Sequence, residues 1–373
     1  MNQYWTLREV STLDSTHARG YNPLSMEPTT APRSALPPPA VHALTAADGT
    51  GLQLTRYAMG TKGPIVLAPG YGNAARAFAL DTVPKSFTQY LGEHGYDVWL
   101  FDYRASPDLP SSETQFTVDD IAMRDWPAAV DHVRSETGAE SVQALGHCIG
   151  GLTLYMAIGG GLEGVRAATF SALAGHPIPT PANRLRAHVR VPTVLKKFGM
   201  DGISTDYRPE SRQDRALERV MRTLPIRHMH DSPVGRRIYF IYGDVFDHER
   251  IDETTMADAV PTFFGSSNMT FFEQMGVMVR KGGRAVDADG RDVYLPHTER
   301  FRMPVSFITG EHNRMFVPRG LAATHELLSA ANGPDGYAHH VVPGYAHLDL
   351  WLGRDAERDV FPIVLRELER QAS

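Results

Sequence analysis

The single cysteine of the chain stands between glycines in Gly146-His147-Cys148-Ile149-Gly150, after an apolar segment and before a segment with helical spacing. A G-x-C-x-G pattern where a strand meets a helix is typical of a nucleophile elbow, here with cysteine as the central residue. The tight turn strains the backbone of the central residue, and the flanking glycines remove side chains that would collide there. The positive end of the helix dipole favours the thiolate, which is the reactive form of cysteine. Cys148 is therefore a candidate nucleophile.

Cys148 has a second interpretation, because free cysteines are most often small buried hydrophobic residues. A segment earlier in the chain favours the catalytic interpretation. In VLAPGYGNAARAF, a predicted strand ends at Gly70-Tyr71-Gly72. Such a loop can supply one backbone N–H, and the residue after the nucleophile supplies another, so that the two form an oxyanion hole. Tyr71 and Ile149 are the predicted donors.

The candidate general base is a histidine near the C-terminal end of the sequence. His347 lies in VVPGYAHLDLWLG, directly after the last predicted strand and before one remaining predicted helix. In chains with a nucleophile elbow the order is nucleophile, acid, histidine, and the histidine comes from this late position. Cys148 and His347 are therefore predicted to form a pair.

The elements that must position these residues alternate along the chain. Apolar segments such as GPIVLA, YDVWLFDYR, SVQALGH and VRAATFSAL are predicted strands, and segments with helical spacing lie between them. This rhythm predicts an α/β fold with a mostly parallel central sheet and helices on both faces. We expect an extended lead-in over residues 1–40, a core over 41–182 and 297–373, and a helical cap or lid insertion over 183–296.

Composition limits the classes of function. The chain has 373 residues, a net charge of −6 and a pI near 6.2, which argue against nucleic acid as the main partner. One cysteine cannot form an intrachain disulfide. The first residues have no basic segment followed by an apolar one, and no window approaches 18 apolar residues, so we expect a cytoplasmic protein without a membrane span. No metal-binding or cofactor-binding motif is evident, so none is predicted.

Over residues 41–373 the sequence resembles the α/β-hydrolase superfamily. GYDVWLFDYRAS, GRRIYFIYGD, VRKGGRAVDADGRDVYLPH and the cysteine segment are similar to hydrolase-like domains found alone or fused to flavin-dependent GMC oxidoreductases, including cholesterol-oxidase-like chains. GYDVWL and HLDLWLG also resemble acid lipases, which use serine in the elbow. Cysteine at that position is similar to dienelactone hydrolases and polyhydroxyalkanoate synthases. The resemblance implies the α/β-hydrolase fold with its cap, and it leaves the substrate open because the fold hosts many chemistries.

The resemblance also implies a third catalytic residue. Family members commonly carry an aspartate after the penultimate strand, and this chain has Asn313 there, in TGEHNRMFVP. Neighbouring Glu311 is the alternative, whereas Asp349, two residues after His347, is predicted to be structural. A thiol ionises more readily than a serine hydroxyl, so a neutral residue can suffice to orient the histidine, as in Cys-His-Asn proteases. The predicted triad is Cys148, His347 and Asn313.

A cysteine nucleophile also restricts the substrate. A tetrahedral intermediate expels thiolate more easily than alkoxide, so a thioester, an activated ester or a lactone suits it better than a simple alkyl ester. The predicted partner is a small-molecule acyl substrate, which includes a carrier-bound thioester. Phe and Met residues in NMTFFEQMGVMV either line the cap for an apolar acyl group or belong to the core. The residues predicted to contact the substrate are His147, Phe271, Phe272 and Met275.

Two other functions stay open at this stage. The chain could be a non-catalytic hydrolase-fold protein that binds an apolar ligand or a partner oxidoreductase, which the missing aspartate favours. Carbon–carbon bond hydrolysis, known in the superfamily, is the third possibility. Rapid alkylation of Cys148 near neutral pH is expected of a catalytic thiolate. The acyl group, the acceptor and the oligomeric state are left undetermined.

Overall fold

The core of the structure is one sheet of eight strands. The computed structural model describes residues 36–370, apart from residues 189, 198, 206 and 224–232. The predicted lead-in therefore lies mostly outside the described residues. The strands are β1 (Ala40–Thr45), β2 (Gly51–Ala58), β3 (Pro64–Ala68), β4 (Asp97–Asp102), β5 (Val142–His147), β6 (Val165–Ser171), β7 (Val305–Gly310) and β8 (Tyr337–Val342).

The strand order is β1-β2-β4-β3-β5-β6-β7-β8. Strands β3 to β8 are parallel, and β1 and β2 form an antiparallel edge. Every residue of β3, β4, β5 and β7 is buried, as expected for parallel strands with helices on both faces. The predicted mostly parallel sheet is confirmed. The edge strand β1 is not predicted, because its AVHALT segment is half exposed and its strand conformation depends on pairing with β2.

Helices cover the sheet and fill the long connection between β6 and β7. The described α-helices are α1 (Phe87–Glu93), α2 (Val118–Asp120), α3 (Trp126–Thr137), α4 (Ile149–Gly159), α5 (Pro181–His188), α6 (Val191–Lys197), α7 (Arg212–Met221), α8 (Pro233–Tyr242), α9 (Val260–Phe263), α10 (Met269–Arg280), α11 (Pro318–Asn332), α12 (Asp349–Leu352), α13 (Ala356–Asp359) and α14 (Phe361–Arg370).

Helices α2 and α3 follow Thr117 with one irregular turn between them. Thr117 and Asp120 form a capping box, in which the Asp120 carboxylate accepts from the Thr117 N–H at 2.8 Å. Helices α2 and α3 are joined by a π-helical turn, Ile121–Asp125. Gly138 ends α3 with φ of 69°, which a residue with a side chain rarely adopts.

The connection between β6 and β7 is helical in its described part, with α5 to α10 and a π-helical turn at Thr255–Ala259. The predicted cap insertion over residues 183–296 stays a prediction. The end of the chain differs from the single predicted helix, because α12, α13 and α14 follow β8. Pro362 near the start of α14 has no N–H to donate back to α13, so the helix is interrupted there. No described helix is long and apolar enough to cross a membrane.

Candidate active site

Cys148 lies in the tight turn between β5 and α4. Its backbone has φ of 53° and ψ of −120°, a conformation that residues with side chains rarely adopt. A Cβ atom at Gly146 would lie 2.3 Å from the carbonyl oxygen of Gly150, and one at Gly150 would lie 2.6 Å from that of Ala68. Strand and helix therefore approach so closely that glycine is required at both positions, and the turn holds Cys148 in its strained conformation.

Two backbone N–H groups point at the sulfur of Cys148. They belong to Tyr71, in the loop after β3, and to Ile149, the first residue of α4. The N–H of Gly150 donates to the carbonyl oxygen of Pro69 at 3.1 Å, which holds that loop against the elbow. Tyr71 and Ile149 are the two donors predicted from the sequence. A negative oxygen on a carbon bonded to this sulfur would lie next to both N–H groups.

His347 lies in the loop after β8, with its Nδ1 atom 3.2 Å from Oδ1 of Asn313. The same oxygen accepts hydrogen bonds from the N–H of Met315 at 3.0 Å and of Phe316 at 3.3 Å. An amide oxygen can only accept, so Nδ1 of a neutral His347 carries the proton in this network. Nε2 is then the free basic nitrogen.

The two carboxylates near His347 have other partners. Glu311 is exposed, and its Oε2 atom accepts from the N–H of Gly344 at 3.0 Å. The alternative that placed Glu311 beside the imidazole is therefore not supported, and Asn313 holds that position. Asp349 accepts from the N–H of Ala346 at 2.7 Å, and burial raises the pKa of its carboxyl to about 6. Its contacts with the loop backbone agree with a structural role.

Burial determines the charge state of the cysteine and the histidine. It raises the pKa of the Cys148 thiol to about 12, although hydrogen bonds from Ile149 and Tyr71 act in the opposite direction. It also lowers the pKa of the His347 imidazole to about 3. The expectation of an ionised thiolate is therefore wrong, because the loss of solvation outweighs the helix dipole and both hydrogen bonds. Among the described residues no hydrogen bond joins Sγ to the imidazole, and such contacts often tighten only around a substrate.

Alkylation of Cys148 by iodoacetamide is expected to be slow at pH 7 and to accelerate about tenfold per pH unit up to roughly pH 10. A raised pKa leaves little thiolate at neutrality, and the thiolate fraction grows until the pH reaches the pKa. Intact mass gives the rate without ambiguity, since the chain has one cysteine. The control is the same chain in denaturant, whose rate should level off near the pKa of a free thiol. A plateau below pH 8 in the folded chain would contradict the neutral thiol.

A cavity of about 370 Å³ is lined by Cys148, His347 and both N–H donors. Phe271, Phe272 and Met275 line it as well, so the structure brings the predicted cap residues to the predicted nucleophile. Phe271 stacks on Tyr71 with ring centroids 4.0 Å apart. The aromatic wall is thus continuous from the loop after β3 to helix α10.

His147 does not line this cavity, which corrects its predicted contact with the substrate. His147 is the last residue of β5, and its ring packs against the rings of His347 and Trp351 instead. His147 is 1% exposed, and its Nδ1 atom lies 2.9 Å from the Ser171 hydroxyl oxygen. Its ring lies 4.7 Å from that of His347, and burial holds its pKa well below the usual range. The ring of His147 therefore packs against the imidazole of His347.

Other residues that line the cavity belong to no sequence motif that predicts a function. Tyr242, at the end of α8, donates its hydroxyl to the carbonyl oxygen of Gly265 at 2.7 Å, and its ring lies 6.3 Å from that of Tyr71. Glu273 of α10 lines the cavity while it pairs with Lys196 at 2.9 Å. Apolar spacing in PVGRRIYFIY indicates a buried helix face but not what that face covers.

Comparisons with known proteins extend these observations. A family model described as "alpha/beta hydrolase fold" matches residues 63–354. The poly(3-hydroxyalkanoate) polymerase subunit PhaC of Haloferax mediterranei is 25% identical over 302 residues, which are 77% of this chain and 57% of that protein. Lipase 1 of Drosophila melanogaster is 29% identical over 126 residues, 31% of this chain and 28% of the lipase. The chain thus spans about half or less of the length of these relatives.

Solved structures share the same fold. A soluble variant of monoglyceride lipase from Saccharomyces cerevisiae superposes with a TM-score of 0.59 and 14% identity, over 91% of this chain and 97% of that one. The predicted resemblance to hydrolases, polyhydroxyalkanoate synthases and lipases is confirmed. Because the family model covers most of the sequence and the sheet has the matching architecture, the chain belongs to the α/β-hydrolase fold family.

Proposed function

We propose that the chain is an acyl-transfer enzyme in which Cys148 is the nucleophile, His347 the general base and Asn313 the residue that orients it. The observation that carries this proposal is the strained turn at Cys148, where the N–H groups of Tyr71 and Ile149 converge on the sulfur. Strained backbone and converging donors have a cost in stability, and they are typical of sites that perform chemistry.

The reaction begins from the neutral pair. Nε2 of His347 takes the thiol proton as Sγ of Cys148 attacks the carbonyl carbon, and the N–H groups of Tyr71 and Ile149 stabilise the resulting oxyanion. Asn313 accepts from Nδ1–H throughout and keeps the ring in place. Collapse of the intermediate breaks the bond to the leaving group, which receives the proton from the imidazolium. Water or a second acceptor then attacks the acyl-thioester, with His347 again taking the proton, and releases Cys148 as a thiol.

The raised pKa of Cys148 favours thioesters over alkyl esters as substrates. In the tetrahedral intermediate the better leaving group departs, and an ordinary thiol with a pKa of about 8.5 leaves more easily than Cys148 at about 12. An alkoxide leaves less easily than either and depends fully on protonation by His347. Activated esters share the favourable order with thioesters, and a strained lactone opens because ring strain is released, although its leaving group is an alkoxide.

The apolar wall of the cavity suits an apolar acyl group. Phe271, Phe272 and Met275 come from α10, in the connection between β6 and β7, which we propose to be the cap. Aromatic and methionine side chains adapt to irregular apolar ligands. The similarity to a polymerase subunit and to lipases is compatible with acyl chemistry, and it does not choose between transfer and hydrolysis.

A non-catalytic binding protein is the second candidate. It is favoured by the neutral thiol and by Asn313, since no carboxylate contacts the imidazole among the described residues. Slow alkylation no longer separates the two candidates, because a neutral thiol is expected in both.

The test compares acyl-N-acetylcysteamine thioesters with oxygen esters of the same acyl groups, with and without amine acceptors. We expect a kcat/KM at least about 100-fold higher for the thioesters, which corresponds to roughly 2.7 kcal/mol in the barrier. Rapid quenching and intact mass should show the acyl group on Cys148. Saturable binding without turnover or adduct would establish the binding protein instead, and equal rates on oxygen esters would indicate an ordinary esterase.

A further inference from the structure

A cluster of three potential metal ligands lies at the antiparallel edge of the sheet, apart from the residues that line the active-site cavity. His42 comes from β1, and His132 and Glu136 lie one turn apart on α3. One ligand atom from each of the three lies within 4.8 Å of the other two. None of the three lines the active-site cavity. Two histidines and a carboxylate are the donor set of many zinc sites.

One nitrogen of each imidazole in this cluster has no other partner in the described part of the chain. Nε2 of His42 and Nε2 of His132 are both buried without a hydrogen bond in the described part of the chain. Nδ1 of His42 lies 4.0 Å from Oε2 of Glu136, which is too long for a hydrogen bond. Buried polar atoms are rarely left unpaired, so these two neighbouring nitrogens are available to bind a ligand.

The surroundings leave these ligands available. Glu136 forms no ion pair with Lys or Arg among the residues that the structure describes, and its side chain is 44% exposed. Trp99 packs against both imidazoles, with ring centroids 5.0 Å from His42 and 6.3 Å from His132.

We propose that His42, His132 and Glu136 form a binding site for a divalent transition-metal ion, of which Zn²⁺ fits best. Ligand atoms around tetrahedral zinc lie about 3.4 Å apart, so atoms that lie within 4.8 Å of one another need to approach by up to about 1.4 Å. Side-chain rotation supplies this movement, because Glu136 is exposed and both histidines are half buried. Three protein ligands leave a fourth position for water, and the ion would tie the edge strand β1 to α3.

The test is a titration of the untagged chain, freed of metal with a chelator, using Co²⁺ as a visible probe for zinc. We expect one Co²⁺ per chain, with ligand-field bands that Zn²⁺ abolishes by displacement. Glu136→Gln should weaken binding at least about tenfold, and His132→Ala should remove the bands. Zn²⁺ should raise the Tm of the parent and leave that of His132→Ala unchanged.

His339→Ala is the matched control, because it removes a half-buried histidine from β8, at the opposite edge of the sheet. It should bind Co²⁺ as the parent does. Circular dichroism in chelator should show that each variant folds, and exposed Glu136→Gln keeps the test valid if His132→Ala does not fold. The proposal is overturned if the parent shows no saturable binding, or if it binds equally well with Glu136 or His132 replaced.

Discussion

Cys148→Ala is expected to lower kcat/KM for a thioester substrate by roughly 10⁴-fold or more, as removal of a catalytic nucleophile does. Without Sγ no acyl-enzyme can form, while both N–H donors and the aromatic wall remain. The fold should be retained, since alanine keeps the Cβ atom in the strained turn and only the sulfur is lost. Steady-state kinetics, intact mass and Tm together check this result.

The Cys148→Ser variant is the accompanying control. Serine preserves the shape of the site, and its hydroxyl is a weaker acid than the thiol, so it needs a more basic histidine than His347, whose pKa is about 3. We expect activity to fall well below that of the parent and an acyl adduct to accumulate slowly or not at all. Full activity in Cys148→Ala would refute the nucleophile, whereas loss of activity with a changed Tm would point to a damaged fold.

His347→Ala is expected to lower kcat/KM by roughly 10³-fold, within the range attributed to a general base. The remaining thiol would have no acceptor for its proton in the buried site, so the loss should shrink as the pH rises toward the pKa of Cys148. A pH–rate profile of the variant, measured with a thioester that is stable in base, checks this. Undiminished activity near neutral pH would exclude His347 as the base.

The Asn313→Asp variant keeps an oxygen acceptor next to Nδ1 of His347 and changes the basicity of the imidazole. A carboxylate next to Nδ1–H favours the imidazolium and raises the pKa of His347, so the acid limb of kcat/KM should move to higher pH. In the parent that limb should lie well below pH 6, because neutral imidazole is the active form and its pKa is about 3. Glu311→Gln is the matched control and should leave the profile unchanged, since Glu311 contacts the Gly344 N–H instead.

Local sequence is sufficient to predict the tight turn at Cys148 and the loop after β3 that faces it. The conformation of Cys148 requires glycine at Gly146 and Gly150, which the local pattern supplies, although the contact that excludes a side chain at Gly150 comes from Ala68 of β3. The donors Tyr71 and Ile149 follow from chain order, because parallel strands place their carboxyl ends at one edge of a sheet. The histidine after the last strand is predictable for the same reason.

Other features of the site depend on contacts between distant segments and cannot be predicted from the local sequence. Asn313 and Glu311 are two residues apart in one loop, and only the path of the loop places the amide beside His347 and the carboxylate in solvent. The proposed metal-ligand cluster brings His42 of β1 next to His132 of α3, and the spacing of these residues in the sequence matches no metal-binding motif.

The charge states of Cys148 and His347 show the difference most clearly. A thiol at a helix N-terminus is a local feature, and by itself it indicates an ionised sulfur. The opposite result follows from burial by segments far away in the chain, such as α8, α10 and the loop of His347. Short-range geometry can be inferred from neighbouring residues, whereas desolvation sums over everything packed around a group and exists only once the chain has folded.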